Sequence, residues 1–527
     1  MSAPMVNSCV NSMKSILIHF AHEHVDFRLA ELASILKLFK ITTCLPDQNG
    51  FSPFLKLDLP SLDCAQQIAS RAVLIKSVYE LWAQGKTHKE LNESLSKLPA
   101  KFLDPYITSG DTYKFQVTSF NKKIPPKRKL EIIENLPHEV LAFEGRVDLK
   151  NHQHAYHIIE DYGSNMGKPT KEPEQVFFAK WIADGQRDKI NEFHLQKRHF
   201  IANTSMDAAL SMIMANLAKV GPNMVVLDPF VGSGSLLVSA AAKGAYVMGT
   251  DIDYLLLHAK SRPSRCNMKK RQSDESVYSN LHQYGLEKHF LDVLVADASK
   301  PHMWREQTFY DAIITDPPYG IREGAKKIDF NPTLSLTDEQ RNGGTHIAQR
   351  TEYHLSDIFR DLLNFAARYL HVNGRLVYWF PVQLHTYAEG NIPSHPCLRL
   401  VHNCEQKLNS KVGRRLITME KVCEFNDDMQ DAKLAVDHFQ EASFRDMYFS
   451  ESSVLKEKLT QARSRPLKSA PQNDLEVNKR PQNDLELNKQ PQNDLELCKQ
   501  PQNDLVESRR DFSEDGVNDK LSQLNLK

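Results

Sequence analysis

Four short apolar runs in the middle of the chain each lead into an aspartate, and that repetition limits the folds open to it. Asn223-Met224-Val225-Val226-Leu227 runs into Asp228, and Ala245 to Gly249 into Thr250-Asp251. Leu291 to Val295 runs into Ala296-Asp297, and Ala312 to Thr315 into Asp316. Apolar runs of this length, with helical stretches among them, read as parallel strands buried on both faces. In such a doubly wound α/β sheet the carboxyl ends of the strands line the crevice where ligands sit. One or two of the aspartates could be loop residues or helix caps. The turns around them carry more information than that.

The first run opens into Asp228-Pro229-Phe230-Val231-Gly232-Ser233-Gly234-Ser235-Leu236, and a helical stretch follows from Leu237 to Ala242. Gly232 and Gly234 let the backbone approach a ligand with no Cβ in the way. Asp251 lies 23 residues after Asp228, near the spacing at which an acid reaches ribose hydroxyls. A dinucleotide fits less well, because no third glycine follows Gly234 two residues on. The fourth run ends in Asp316-Pro317-Pro318-Tyr319-Gly320. A carboxylate and a carbonyl there can accept both hydrogens of an exocyclic amine, which favours a pyramidal nitrogen with its lone pair aimed outward. Pro318 has no N–H and restrains Pro317, so the loop is stiff. Tyr319 offers a ring for a base to stack on.

Together these motifs resemble the S-adenosylmethionine-dependent methyltransferases that modify exocyclic amines. The resemblance implies that Asp228 holds the amino group of the cofactor's methionine part. It gives Asp251, with Ile252 beside it, the ribose, and Asp297, with Ala298, the adenine amine. Gly232 and Gly234 form the cofactor turn, and Asp316, Pro317, Pro318 and Tyr319 hold the target amine. The segment Lys197 to Asp207, opening a helix through Leu217, would pack over the cofactor with Thr204; Ser205 is the expected cap. Gly145-Arg146-Val147-Asp148-Leu149-Lys150-Asn151 resembles the closing part of a THUMP domain, a module that holds the acceptor end of tRNA. With Thr315-Asp316-Pro317-Pro318-Tyr319-Gly320-Ile321-Arg322-Glu323, the whole is most similar to the catalytic subunits of the eukaryotic tRNA (guanine-N2)-methyltransferases that act at position 10. That family implies a cytoplasmic enzyme, S-adenosylmethionine as cofactor, tRNA as substrate, and a small zinc-binding activator subunit as partner. Serine at 233 departs from the threonine common there.

The expected architecture is α/β. An α+β THUMP-type RNA-binding region covers residues 1–165, and a Rossmann-like seven-stranded methyltransferase domain covers 166–445. In the first part, Ser15 to Ala21, Lys114 to Ser119 and Val140 to Phe143 read as strands, Asp26 to Phe39 as a helix, and Arg71 to Trp82 as a strand entering a helix. Lys122 to Lys129 is either a solvated loop or an RNA-phosphate contact. Phe177 to Asp184 and Lys189 to Phe193 read as linker or small helices. The long loop Ile321 to Thr351 reads as a lid or substrate loop. A helix from Tyr353 to Leu370, a turn at Asn373-Gly374, a strand from Arg375 to Phe380 and a hairpin (Leu398 to Cys404 with Arg415 to Lys421) complete the sheet. In residues 446–527, Pro-Gln-Asn-Asp-Leu begins at Pro471, Pro481, Pro491 and Pro501. Each decad has one or two leucines or valines at most, too little to bury a core, so a disordered tail is expected.

Composition excludes little but agrees. The 527 residues carry no formal net charge, although 12 acidic and 8 basic residues after Pro471 leave a mild positive balance on the rest. Eight cysteines without a Cys-x-x-Cys pair read as reduced thiols with no metal site. No apolar run reaches membrane-spanning length, and no targeting segment is expected. Three alternatives remain at this point: an adenine-N6 enzyme on nucleic acid, a protein glutamine-amide methyltransferase, and a catalytically silent RNA-binding subunit.

Overall fold

A computed structural model describes residues 13–434, apart from 47–51, 108–109, 166, 266–267, 320–324 and 329–349. The repeat tail and most of the long loop after Tyr319 lie outside the described residues.

The amino-terminal part is a six-stranded sheet. Its strands are β1 (Lys14–Phe20), β2 (Phe54–Leu59), β3 (Ile75–Gly85), β4 (Tyr113–Phe120), β5 (His154–Asp161) and β6 (Gln175–Asp184), in the order β2-β1-β3-β6-β5-β4. Alternation along β1 sorts the faces. Ile16, Ile18 and Phe20 pack under the helix Arg28–Phe39 with Leu32 and Ile35, while Leu17 points to the opposite face with Phe54 and Tyr79.

Several expectations change here. Phe177 to Asp184 is no linker but most of β6, paired with β3 on one side and β5 on the other. The first sheet therefore runs on past residue 165, and the chain leaves it at Asp184. Phe177 and Phe178 are both buried, one on each face, which is the mark of a central strand. Arg71 to Trp82 does not enter a helix. The strand continues to Gly85, and Thr87 caps a separate helix, His88–Leu95. Val140 to Phe143 is irregular, its apolar residues filling the core beneath Tyr156 (Phe143 ring centroid at 4.7 Å) instead of joining the sheet.

The second sheet has seven strands. These are β7 (Val225–Asp228), β8 (Tyr246–Asp251), β9 (Phe290–Val295), β10 (Tyr310–Thr315) and, after a short hairpin of β11 (Lys326–Ile328) and β12 (Arg350–Glu352), β13 (Leu370–Gln383), β14 (Leu398–Lys407) and β15 (Val412–Lys421). Their order is β14-β15-β13-β10-β7-β8-β9, so the chain reverses direction across the sheet between β7 and β10. Each central strand is buried twice. Val226, Ala312 and Ile314 meet the helices Ala208–Leu217 and Ser235–Ala241, while Leu227 and Ile313 meet the helix Leu355–Tyr369. Burying each such side chain is worth about 1.5–3 kcal/mol. The expected turn at Asn373-Gly374 is a kink inside β13, with Asn373 in the left-handed region (φ 70°).

The helix Arg28–Phe39 belongs to the first sheet but also ties it to the second. The Lys37 ammonium lies 2.8 Å from Glu420 on β15. Glu31 is fully buried and accepts from the amides of Val73 and Leu74 and from Asn216 Nδ2 at 2.7 Å. Asn216 in turn accepts from Arg71. Burial pushes the Glu31 carboxyl up, against those donors.

Candidate active site

The reversal between β7 and β10 places two strand ends side by side, the position where doubly wound sheets bind ligands. Asp228 closes β7 and Asp316 follows β10. Asp228 is buried, and its Oδ1 accepts from the Thr315 hydroxyl at 2.7 Å and from the Phe230 amide at 3.1 Å. Burial pushes its carboxyl up from 3.8 to about 7, and the neighbouring charges of Asp251 and Asp316 push the same way. A carboxylate held under such strain favours a cationic ligand.

The glycine turn is open at Gly232 and closed at Gly234, where a Cβ would meet Val277 Cγ1 at 2.5 Å. A Cβ built on Gly232 meets nothing within 4 Å, and both Gly232 (φ 49°) and Gly234 (φ 76°) lie in the left-handed region. Asp251, at the end of β8, accepts from the amide of Gly232 at 2.9 Å and from that of Asp253 at 2.9 Å. Burial raises its carboxyl too. Asp297, after β9, accepts from Ser299 N at 2.9 Å and from Ile328 N at 2.7 Å. The hairpin β11–β12 thus leans on the third carboxylate, and its Arg350 donates to the carbonyl of Ile252 at 2.9 Å. Beside Asp297 lies a small pocket whose lining includes Phe230, Ala298, Trp304, Tyr353 and Asp361.

At the other strand end, Pro317 is buried and Asp316 half-exposed. Arg414 on β15 places Nη1 at 3.5 Å from Asp316 Oδ2 and donates to the Tyr319 hydroxyl at 3.0 Å. Sequence reasoning missed Arg414. Its only local signal is a pair of arginines at the start of a strand; the contact spans 95 residues of chain.

Thr204 is exposed. Its neighbour Ser205 reaches the glycine turn instead, through a 2.5 Å hydrogen bond between its hydroxyl and that of Ser233. Ser205 is not the helix cap either: Asp207 accepts from the amides of Ala209 and Leu210. The serine is taken up by the turn, and the carboxylate two residues on is the stronger acceptor for free amides.

Two family models match. Residues 14–187 match the Tmrp11 THUMP N-terminal domain, and residues 196–331 match the RMKL-like methyltransferase domain. A Xenopus laevis protein named tRNA (guanine(10)-N(2))-methyltransferase TRMT11 is 48% identical over 444 residues, which cover 83% of this chain and 92% of that protein. The Homo sapiens protein of the same name is 47% identical over 453 residues, covering 85% and 97%. The Dictyostelium discoideum protein is 36% identical over 447 residues, covering 80% and 85%. This chain belongs to the tRNA (guanine(10)-N(2))-methyltransferase family. In this member of the family the methyltransferase match begins after the first sheet has ended, and it takes in the glycine turn, Asp228, Asp251, Asp297 and the Asp316-to-Tyr319 loop. Arg414 lies beyond residue 331, where the match to that domain model ends.

Among the described residues, no helix is long and apolar enough to cross a membrane.

Proposed function

We propose that this chain transfers the methyl group of S-adenosylmethionine to the exocyclic N2 of guanosine at position 10 of tRNA. The observation that carries this reading is the adjacency of two unlike strand ends at one switch point. A buried carboxylate cluster closes one, and the stiff Asp316-to-Tyr319 loop closes the other.

In this reading Asp228 accepts the cofactor's ammonium, Asp251 beside Ile252 its ribose hydroxyls, and Asp297 beside Ala298 its adenine amine. Gly232 and Gly234 admit its methionine part, with Thr204 at the margin. S-adenosylmethionine supplies an electrophilic methyl group on a sulfonium. Everything else falls to the protein. The target guanine leaves the tRNA stack, and Tyr319 offers the ring on which it rests. Asp316 and the carbonyl of Pro317 accept the two N2 hydrogens, which turns the nitrogen lone pair toward the cofactor side. Pro318 keeps that loop from relaxing. N2 becomes strongly acidic once it carries the extra methyl, so the Asp316 carboxylate, or water, is base enough to take the proton.

The six-stranded sheet, with its attached segment from Gly145 to Asn151, grips the tRNA away from the reacting base. That segment runs along β4 through bonds between Tyr113 and the backbone of Arg146 and Asp148, and it exposes Val147 and Leu149. A second chain completes the enzyme. Among the described residues, strand β9 ends the sheet with β8 as its one neighbour, and its Leu291 and Val295 are 46% and 44% exposed. An uncovered apolar edge invites strand addition, and the family's small zinc-binding activator fits that role.

The test is methyl transfer from labelled S-adenosylmethionine to unmodified tRNA, DNA and protein, with the product nucleoside identified. N2-methylguanosine at position 10 is expected. Label on adenine or on protein would replace this reading with one of its alternatives.

A further inference from the structure

We infer that Arg414 is a positioning residue for methyl transfer: its guanidinium sets the Tyr319 ring and the Asp316 carboxylate in the orientation that receives the target base. This rests on the assignment of the Asp316-to-Tyr319 loop to the target amine.

A single nitrogen serves both groups. Arg414 Nη1 donates to the Tyr319 hydroxyl at 3.0 Å and lies 3.5 Å from Asp316 Oδ2. Tyr319 is then held at its far end, so its ring cannot swing about the Cα–Cβ bond away from a stacked base. Asp316 keeps a cation beside it while it faces a neutral amine. A flexible side chain would do this poorly. Arg414 is not flexible here, because the rest of its guanidinium is fixed too. Its Nε donates to Gln406 Oε1 at 2.7 Å, from the position opposite it on β14. Its plane covers the ring of the buried Trp379 on β13, with 3.9 Å from the guanidinium carbon to the ring centroid. Arginine is the side chain that stacks on an aromatic face and still presents donors at its edge.

The support continues into the amino-terminal part. Phe27 packs against Trp379 as well, with ring centroids 6.0 Å apart. Asp26, beside it, accepts a hydrogen bond from the backbone amide of Glu405 on β14. The corner that joins β1 to its helix therefore backs the plate on which Arg414 lies. Contacts that fix one orientation raise the fraction of bound substrate in a reactive geometry, and they act on turnover more than on cofactor affinity.

The test uses the full chain with its activator, unmodified tRNA and S-adenosylmethionine, and reads single-turnover rate, cofactor Kd and melting temperature. Arg414→Met should slow transfer about 10- to 100-fold with cofactor Kd changed less than about twofold. Arg414→Lys should recover part of the loss, since it keeps a charge and a donor but not the stack. Tyr319→Phe removes only the hydroxyl and should cost about threefold or more. The double variant Arg414→Met/Tyr319→Phe should be no slower than Arg414→Met alone, because both remove the same contact. Multiplying losses, or a loss of cofactor affinity equal to the loss of rate, would overturn the inference and leave Arg414 as sheet packing. If Arg414→Met does not fold, unchanged turnover in Tyr319→Phe overturns it as well. Asp316→Ala separates the two levels. Near-normal turnover there refutes the site assignment and this inference with it. An inactive Asp316→Ala beside a fully active Arg414→Met refutes this inference only.

Discussion

Asp228 and Asp316 close neighbouring strands of one sheet, yet their carboxylates sit in opposite electrostatic settings. Asp228 is buried, held by a hydroxyl and an amide, with no ion pair among the described residues; its carboxyl is pushed up to about 7. Asp316 is partly open and has Arg414 beside it. The difference separates two tasks that a sequence motif writes with the same letter. A desolvated carboxylate without a cation is stabilised by a ligand that brings one. A carboxylate with a guanidinium beside it can accept the hydrogens of a neutral amine. On the proposed assignment, the cofactor side is completed by its ligand and the amine side by the protein.

The sharpest way to break this comparison is Asp316→Ala. It should lower methyl transfer by about a thousandfold or more, as expected for the loss of a group acting at the reacting atom, while calorimetry finds cofactor binding nearly intact. Equal losses in both would put the two aspartates in one site with one task.

Asp228→Asn should show the reverse pattern. Loss of a charge-assisted contact worth about 1.5–3 kcal/mol weakens cofactor binding about 10- to 150-fold. It has a pH signature as well. A carboxyl raised from 3.8 to about 7 stabilises the fold while protonated, and that contribution is lost as pH climbs from about 4 to about 7. Asparagine does not titrate, so the melting temperature of Asp228→Asn relative to the parent should rise across this window in the absence of cofactor. A flat difference would mean that Asp228 is ionised and at ease in the free protein.

Asp251→Ala extends the test along the cofactor side. Its carboxylate organises the turn through the amide of Gly232, so affinity for S-adenosylmethionine should again fall about 10- to 150-fold. Less than a twofold change would place the ribose elsewhere.

A smaller and more distant effect is expected at the edge strand. Val293→Pro removes a backbone donor from β9 and restrains it. Co-purification with the small activator and tRNA methylation should drop about tenfold or more, while cofactor affinity stays within about threefold. Full activity of the single purified chain would remove the partner from the account.

The cofactor side was legible in the sequence because each of its parts is local. Strand, aspartate and glycine turn lie within a dozen residues, so the local pattern sets Asp228 at a strand end and Gly232 in its turn, and spacing picks out Asp251; their parts toward the cofactor come from the resemblance. Asp316 to Tyr319 were legible for the same reason. Thr204 was drawn from resemblance, and its neighbour Ser205 makes the contact with the turn. Arg414 was out of reach because its role is created by tertiary pairing: β15 must lie against β13 before the guanidinium can meet Trp379 and Tyr319. Strand β6 was missed for a related reason. Its first half is apolar without alternation, which in isolation resembles a linker helix as much as a central strand, and only pairing with β3 and β5 decides the matter.

The most direct measurement compares two tRNAs that differ by one amino group. Unmodified tRNA with guanosine at position 10 is set beside the same tRNA with inosine there, which keeps the ring, N1 and O6 but lacks the N2 amine. With the chain and the proposed activator, one N2-methylguanosine should form in the first tRNA and no methyl should enter the second. Methylation of the inosine tRNA at a comparable rate would show that the Asp316-to-Tyr319 loop acts on some other group.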